Sequence, residues 1–276
     1  RTFEIVGDRV QLGVGGGITA DSVPMLEWRE CLHKAAPLLA AAGSRPSSPM
    51  PVDGALRAGG LLETVLGVDG VPARLADHLA RLDRSCRELF GAGLPPDAAE
   101  RVSQAAKNVP VGRAVLRVTA SPGLDLTITA APAPPRPSAL NAVTRVRSAG
   151  LWRHKWADRS WTDDAGDVLF VGADGAVLET ARGNVFLIED DGALVTPPLR
   201  DDLLPGVTRR ALLDLARDDG RRSVLRTFDV AELSGKAAFW TSSLSGAVPI
   251  GSVDGVQLPR ADDLVAAFAQ RLAAGK

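Results

Sequence analysis

The stretches Glu179-Thr180-Ala181-Arg182-Gly183-Asn184-Val185-Phe186 and Leu204-Pro205-Gly206-Val207-Thr208-Arg209 decide the fold of this chain. In the first, a glutamate ends a short strand just before a turn of small residues, a position from which a carboxylate can point into a cleft. In the second, Pro205 stands where a helix would begin. The amides of Gly206, Val207 and Thr208 would then be unpaired first-turn donors at the positive end of a helix dipole, a ready cradle for an anion. Upstream lies His154-Lys155-Trp156-Ala157-Asp158-Arg159. Its lysine stands out because lysine occurs only at 34, 107, 155, 236 and 276, so arginine supplies nearly all of the 32 basic side chains.

Outward from these stretches, turn residues and apolar spacing divide the chain. Leu61 to Val68 is an extended run closed by Asp69-Gly70, and Leu75, Leu79, Leu82, Cys86 and Leu89 recur at helical spacing before Gly91. A helix is expected at about 97 to 108, and strands at 112 to 120 and 124 to 131 flank Ser121-Pro122-Gly123, a hairpin by its turn chemistry. Beyond Pro132 to Pro137, short strands around Asp174-Gly175 and Asp191-Gly192 precede the helix at Pro205, followed by a strand, a helix, a strand and a C-terminal helix. Hairpins mixed with helices predict an α+β fold. The first residues read as strand, Gly7-Asp8 turn, strand (Arg9 to Val14), a glycine cluster, and a helix that has Asp21 and Ser22 as caps and Pro24 in its first turn. Residues 44 to 60 carry Ser, Pro and Gly with little apolar period, which marks a linker. The expected organisation is an N-terminal segment 1–43, a linker 44–60, a small lobe 61–131, an interlobe linker 132–137 and a large lobe 138–276.

Composition excludes whole classes. With 276 residues, 45% hydrophobic and 24% charged, the chain is neither disordered, collagen-like nor a small disulfide-stapled scaffold. A formal charge of -1 leaves no electrostatic footprint for nucleic acid or an anionic membrane. Cys31 and Cys86 fall in helical patterns with no disulfide or metal-ligand spacing. No apolar run reaches the roughly 18 residues of a membrane span, and no basic segment followed by an apolar one opens the chain. The expectation is a soluble cytoplasmic protein with a small-molecule substrate. Arg1 leads straight into a strand pattern, as in a piece of something longer.

Pyridoxal phosphate chemistry asks for a lysine to condense with the cofactor aldehyde, an acid beside the pyridine nitrogen, and donors for a dianionic phosphate. Lys155, Glu179 and the Gly206-Val207-Thr208 turn supply one each. Their order and spacing, with Asn184, resemble the class IV (fold type IV) pyridoxal-phosphate enzymes, a family that includes branched-chain aminotransferases, D-amino-acid aminotransferase and aminodeoxychorismate lyase. The resemblance runs from about Leu61 to the C-terminus. It extends to His78-Leu79-Ala80-Arg81-Leu82, where the family arginine binds the phosphate, and to Thr241-Ser242-Ser243, where a family hydroxyl does so, Ser243 matching best. It implies a two-lobed fold in which Lys155 is the Schiff-base lysine and acid/base catalyst, Glu179 pairs with the pyridine nitrogen and Leu204 packs under the ring. Arg81, Val207, Thr208 and Ser243 would hold the phosphate, and a homodimer would carry the site near its interface. Two features depart from the family. Pro51 to Gly60 stands in place of the strand and Asp/Gly-rich turn that usually precede the equivalent of Leu62-Glu63-Thr64, and the chain has no tyrosine, whereas several aminotransferases of the class place tyrosines around the substrate.

At the N-terminus, Gly15-Gly16-Gly17-Ile18-Thr19-Ala20 fits a loose GxGxxA pattern, but no βαβ unit or strand-end acid follows, so a dinucleotide site is rejected. The segment Gly13-Val14-Gly15-Gly16-Gly17-Ile18-Thr19-Ala20-Asp21-Ser22-Val23-Pro24, then Glu27, Glu30 and Lys34, closely resembles the C-terminal signature of chorismate-utilising enzymes, the large subunits of anthranilate synthase and aminodeoxychorismate synthase. In that family the two glutamates approach a Mg2+ ion. A hard cation wants about six oxygens, and the resemblance covers only about the first 40 residues. Glu27 and Glu30 are therefore read as solvated helix charges, no metal site is expected, and the segment reads as a β-hairpin plus helix remnant of a chorismate-binding domain.

A fragment of a chorismate-type synthase joined to a class IV domain resembles the fused enzymes of p-aminobenzoate synthesis, in which one part makes 4-amino-4-deoxychorismate and the next removes pyruvate from it. The favoured expectation is a lyase of that kind; a class IV amino-acid aminotransferase and a non-catalytic remnant are the alternatives. The lyase substrate has two carboxylates, and Arg153, Arg182 or Arg209 are the candidates to meet one. The linker reading has a direct check. Limited trypsin digestion is expected to cut first after Arg57 and leave a protected fragment beginning at Ala58, identified by mass spectrometry; a first cut inside 61–131 would contradict it.

Overall fold

The computed structural model describes residues 2–6, 9–20, 24–42, 59–109, 112–147, 152–159, 167–200 and 202–274. It divides into two compact units, Arg1–Ala58 and Gly59–Lys276. In the first, β1 (Thr2–Val6) and β2 (Arg9–Gly13) form an antiparallel hairpin, followed by α1 (Pro24–Ala41). Lys34 Nζ reaches Glu30 Oε1 at 2.5 Å and the Gly15 carbonyl at 3.5 Å, so the lysine ties the glycine loop to the helix. The Gly7-Asp8 turn, the Asp21 and Ser22 caps and the linker up to residue 58 lie outside the described residues.

The small lobe of the second unit is a four-stranded antiparallel sheet. Here β3 (Leu61–Val68) pairs along its whole length with β5 (Arg113–Ala120), and β4 (Val71–Pro72) and β6 (Leu126–Pro132) complete the order β4-β3-β5-β6. Two helices, α2 (Leu75–Phe90) and α3 (Ala98–Lys107), pack against it. On α2 the buried stripe is His78, Arg81, Leu82, Ser85, Cys86 and Leu89, the three- and four-residue spacing of one helix face. The helix stops at Gly91, whose φ of 82° gives the left-handed cap that glycine adopts without strain.

The large lobe carries β7 (Leu140–Val146), β8 (Val168–Val171), β9 (Val177–Thr180), β10 (Asn184–Ile188), β11 (Leu194–Thr196), β12 (Ser223–Leu225), β13 (Ala238–Ser242), β14 (Gly246–Val253) and β15 (Val256–Gln257). Its mixed sheet runs β12-β11-β10-β13-β14-β7-β8-β9, with β15 on β14. Because β9 also pairs with β10 through Glu179 and Asn184, the strands β10, β13, β14, β7, β8 and β9 close into a ring. Residues from all six form one apolar cluster, among them Val185, Leu187, Trp240, Val248 and Ile250. The alternate phase, Phe186, Phe239 and Ala247, packs outward against α4 (Val207–Asp218) and α6 (Asp262–Ala274). Strands covered on both faces read as continuous apolar runs rather than alternating ones. A short helix, α5 (Val230–Leu233), is capped by Asp229, whose side chain accepts from the Glu232 N–H. No helix among the described residues is long and apolar enough to cross a membrane.

One boundary needs correcting where it bears on the site. The helix placed at Pro205 by sequence opens two residues later, at Val207, with Gly206 extended as its N-cap (φ -65°, ψ 130°). Pro205 is held outside the helix because its carbonyl accepts from Arg81 Nη1 at 2.9 Å. The turn joining β9 to β10 is equally constrained. Thr180 donates its N–H to the Gly183 carbonyl at 2.8 Å, and its hydroxyl oxygen receives the Gly183 N–H at 2.9 Å. A Cβ on Gly183 would fall on the Thr241 carbonyl of β13. Gly183→Ala is therefore expected to cost on the order of 2 kcal/mol or more, read as a lower urea midpoint at unchanged slope; a midpoint equal to that of the parent would contradict the packed turn.

Candidate active site

The lysine-bearing segment is the seam between the lobes. Leu61 bridges Trp156 in antiparallel sense, the Leu62 N–H donates to the Lys155 carbonyl at 2.8 Å, and the Ala157 N–H donates to the Gly60 carbonyl at 3.0 Å. His154 and Trp156 are buried, while Lys155 between them faces a cavity of about 950 Å³. Behind the lysine, His154 Nδ1 lies 2.9 Å from Ser85 Oγ on α2. The cavity wall includes Arg81, Lys155, Leu204, Val207, Thr208 and Ser243, six of the seven residues that the sequence resemblance assigned to the cofactor.

At one end of the cavity the geometry is set by a buried carboxylate. Glu63 on β3 is 1% exposed; Arg81 Nε and Nη2 donate to its Oε1 and Oε2 at 2.7 and 2.8 Å, a bidentate pair. Oε2 also receives the Thr64 N–H at 3.2 Å and lies 2.8 Å from His78 Nδ1. Burial alone would raise this carboxyl, but Arg81 and His78 outweigh it and hold it well below the usual carboxylate range. The third nitrogen of Arg81 takes the Pro205 carbonyl, so one side chain spans from α2 to the start of α4. No side chain caps α4, which leaves its first-turn amides beside Arg81, Thr208 and Ser243 as donors for an anion.

Glu179 sits behind the wall rather than on it. Its Oε1 accepts from Arg147 Nη1 at 3.0 Å, and its Oε2 accepts from Asn184 Nδ2 at 3.3 Å and the Leu204 N–H at 3.2 Å. Asn184 and Leu204 are both wall residues, so the carboxylate directly braces the surface that faces the cavity. Burial pushes the Glu179 carboxyl up, and Arg147 opposes that rise. Arg147 is itself sandwiched between the rings of Trp152 (4.9 Å) and Phe170 (4.7 Å) and donates to the Asp202 carbonyl at 2.5 Å.

Among the charged groups on the rest of the wall, arginines outnumber the carboxylate of Asp158. Arg182, a sequence candidate, is there, and so are Arg117, Arg136 and Arg159, which sequence reasoning missed. The other two candidates are elsewhere. Arg153 does not line the cavity; its Nε lies 3.5 Å from Glu88 Oε2 on α2. Arg209 is buried in α4, where it donates to Thr196 Oγ1 and the Pro197 carbonyl. Lys155 feels the cationic wall. Burial drives its ammonium down to about 7; Glu63 resists, and Arg81, Arg159 and Arg117 push it further. Near neutral pH a large share of Lys155 is therefore free amine, the form that adds to a carbonyl or takes a proton from carbon.

Of the residues missed, Glu63 had a readable signal. It lies in the inward phase of β3 with Leu61 and Val65, both fully buried, and a carboxylate in that phase demands buried partners. Arg147, Arg117, Arg136 and Arg159 carried none; contacts such as Arg147 with Glu179, Arg136 with the Ala247 carbonyl and Arg159 with the Ala181 carbonyl join residues distant in sequence.

Comparison with known proteins identifies the family and the fold. The family model described as amino-transferase class IV matches residues 60–253, and that of chorismate binding enzyme matches residues 1–40. A bifunctional aminodeoxychorismate lyase / D-amino acid transaminase from Mycobacterium tuberculosis is 38% identical over 103 residues, 35% of this chain and 36% of that protein, so the match spans about a third of the relative's length. A hypothetical aminotransferase from the same organism, solved in a pyridoxal-phosphate-bound form, superposes with a TM-score of 0.69 at 27% identity, covering 84% of this chain and 94% of that one. A fold IV transaminase from Curtobacterium pusillum shares the fold, with a TM-score of 0.65 at 24% identity over 79% of this chain and 85% of that one.

The lowered Lys155 amine has a definite pH consequence. In the unfolded chain a lysine keeps a proton up to about 10.4, so between about 7 and that value the unfolded state binds more protons, and the Lys155 contribution to stability improves as pH rises. Lys155→Met removes the cost of burying the charge and is expected to raise the melting temperature of the cofactor-free chain by a few degrees at pH 7, less at pH 9. Equal melting temperatures for variant and parent at both pH values would contradict the buried, depressed amine.

Proposed function

The chain belongs to the amino-transferase class IV family of pyridoxal-phosphate-dependent enzymes, and from that membership we propose that it is a 4-amino-4-deoxychorismate lyase, releasing p-aminobenzoate and pyruvate. The observation that carries the lyase over other class IV reactions is the chorismate-binding-type segment at residues 1–40 of the same chain, since a chorismate-derived substrate is what links the two parts. The name of the Mycobacterium relative supports the same choice. So does the wall: Arg117, Arg136, Arg159 and Arg182 suit a substrate with two carboxylates better than one with a single carboxylate and an apolar side chain.

The residues present fit pyridoxal phosphate. Arg81, the first amides of α4 and the hydroxyls of Thr208 and Ser243 form a donor set for its phosphate, and Lys155 offers a partly neutral amine facing the same space. Glu179, expected to pair with the pyridine nitrogen, does not face the cavity: its oxygens are taken by Arg147, Asn184 and the Leu204 N–H, so it bears on the ring site through the wall residues Leu204 and Asn184. When bound, the cofactor supplies an aldehyde that condenses with amines and a ring that withdraws electron density from the neighbouring carbon. Lys155 Nζ is the base positioned to take the proton from the substrate ring carbon bearing nitrogen, its basicity set by burial against Glu63 and the surrounding arginines. The enolpyruvyl C–O bond then breaks, the ring becomes aromatic, and the leaving group gains a proton to become pyruvate. Arginines of the wall bind and orient the two carboxylates through this sequence. The same reading carries a homodimer.

A class IV aminotransferase is the second reading, favoured by the second half of the Mycobacterium relative's name. One assay separates the two. Chorismate, glutamine and an independent aminodeoxychorismate synthase are supplied, and p-aminobenzoate and pyruvate are measured with and without this chain. Product that depends on the chain and is lost in Lys155→Ala is the expected result. Absence of product, together with amino-group transfer from a D-amino acid to a keto acid, would replace the lyase by the transaminase. Arg182→Ala and Arg117→Ala are each expected to lower kcat/KM about 10- to 100-fold, as loss of a charged hydrogen bond does.

A further inference from the structure

His78 is 1% exposed, and each of its ring nitrogens has one neighbour: Nδ1 lies 2.8 Å from Glu63 Oε2 and Nε2 lies 3.1 Å from Ser243 Oγ. Glu63 is ionised and can only accept, because Arg81 and His78 hold its carboxyl well below the usual range. Nδ1 must therefore carry a proton. In the neutral ring, which burial favours, Nε2 has a lone pair and no proton, so Ser243 donates its hydroxyl hydrogen to it. Ser243 also lines the cavity with Arg81 and Thr208, where a phosphate dianion brings acceptors and no hydrogen to give. A single hydroxyl proton is claimed by two acceptors.

We propose that anchoring a dianionic phosphate in this cradle turns the Ser243 hydroxyl proton toward the phosphate and is coupled to uptake of one proton from solvent by His78 Nε2. The imidazolium so formed donates to Glu63 through Nδ1 and to Ser243 Oγ through Nε2, and every buried polar atom in the relay is satisfied. His78 is then a positioning residue: it acts on the phosphate through Ser243 and not by contact. The charged groups facing it are Glu63 from β3, Arg81 from its own helix and Lys155 from the seam. Burial opposes the imidazolium most, Arg81 and the protonated fraction of Lys155 add to that, and Glu63 supports it; the negative charge of a bound phosphate shifts the balance toward the imidazolium. The same relay explains why a histidine occupies the buried stripe of α2 three residues before Arg81: the two side chains clamp one carboxylate and set two phosphate ligands on different lobes.

The inference rests on Ser243 belonging to the cofactor site and is independent of which reaction follows. It is tested with 4'-deoxypyridoxine 5'-phosphate, which carries the phosphate but no aldehyde, so Lys155 cannot condense with it. Calorimetric titration of the cofactor-free full chain at pH 7, in buffers of different ionisation enthalpy, gives the net protons taken up per ligand bound. The parent is expected to take up about one proton more than His78→Gln, and also more than Ser243→Ala, a small change that leaves His78 and the fold in place. Equal proton counts in the parent and in Ser243→Ala would overturn the linkage even if His78→Gln fails to fold. No measurable binding to the parent would remove the cradle assignment and the linkage together, while leaving the lyase assay to be judged on its own products.

Discussion

A carboxylate sealed from water must be answered inside the protein, and the geometry of this site turns on how Glu63 is answered. Two nitrogens of Arg81, one of His78 and the Thr64 N–H surround it. Leaving such a charge without a partner typically costs about 3–5 kcal/mol, so the arrangement is strongly held. Its members do not belong to one element. Glu63 is on a strand, Arg81 and His78 are on the helix packed against it, and Pro205 and Ser243, which they reach, lie in the large lobe. One buried charge therefore registers the small lobe against the start of α4 and fixes Arg81 relative to Ser243.

The rest of the cavity trades stability for chemistry. Burying Lys155 beside arginines is unfavourable for its ammonium, and the result is a side chain that is largely free amine near neutral pH, the form the proposed chemistry uses. The scaffold that tolerates it is the closed ring of strands, apolar on both faces, with Phe186 and Phe239 stacked at 5.1 Å where the helices cover it. The seam segment is tied instead to the small-lobe sheet, through its backbone bonds to Gly60 and Leu62 at the start of β3, so Lys155 is presented from a backbone fixed on both sides of it. The cationic wall also sets what can enter: anions are drawn in, and a ligand carrying one phosphate or two carboxylates finds complementary charge.

Much of this was legible in the chain itself. The apolar spacing of α2, the Gly91 stop, the Ser121-Pro122-Gly123 hairpin and the Asp-Gly turns at 174–175 and 191–192 all report local chemistry, and local chemistry survives folding. The misplaced start of α4 shows where such reading ends. Proline is a good first helical residue, yet Pro205 stays outside because a side chain 124 positions away takes its carbonyl. Arg153 fails as a substrate ligand for a similar reason: it was chosen by its nearness to Lys155 in sequence, whereas the turn at Trp152 and Arg153 breaks the strand alternation and Arg153 meets Glu88 on α2.

By itself the sequence determined the family and the two-lobed α+β fold, because these are encoded in local motifs; the resemblance also pointed to Lys155 and five further residues that line one cavity wall. It also determined that residues 1–40 carry a chorismate-binding-type segment, whose Lys34 bridges Glu30 and the glycine loop within that unit. Only the tertiary structure decided which arginines face the cavity, that Glu179 works from behind Leu204 and Asn184 with Arg147 at its back, and that His78 joins Glu63 to Ser243. The physical reason is that motifs specify what a residue can do, whereas charge compensation in a buried site depends on groups brought together from distant positions, 165 residues apart in the case of His78 and Ser243.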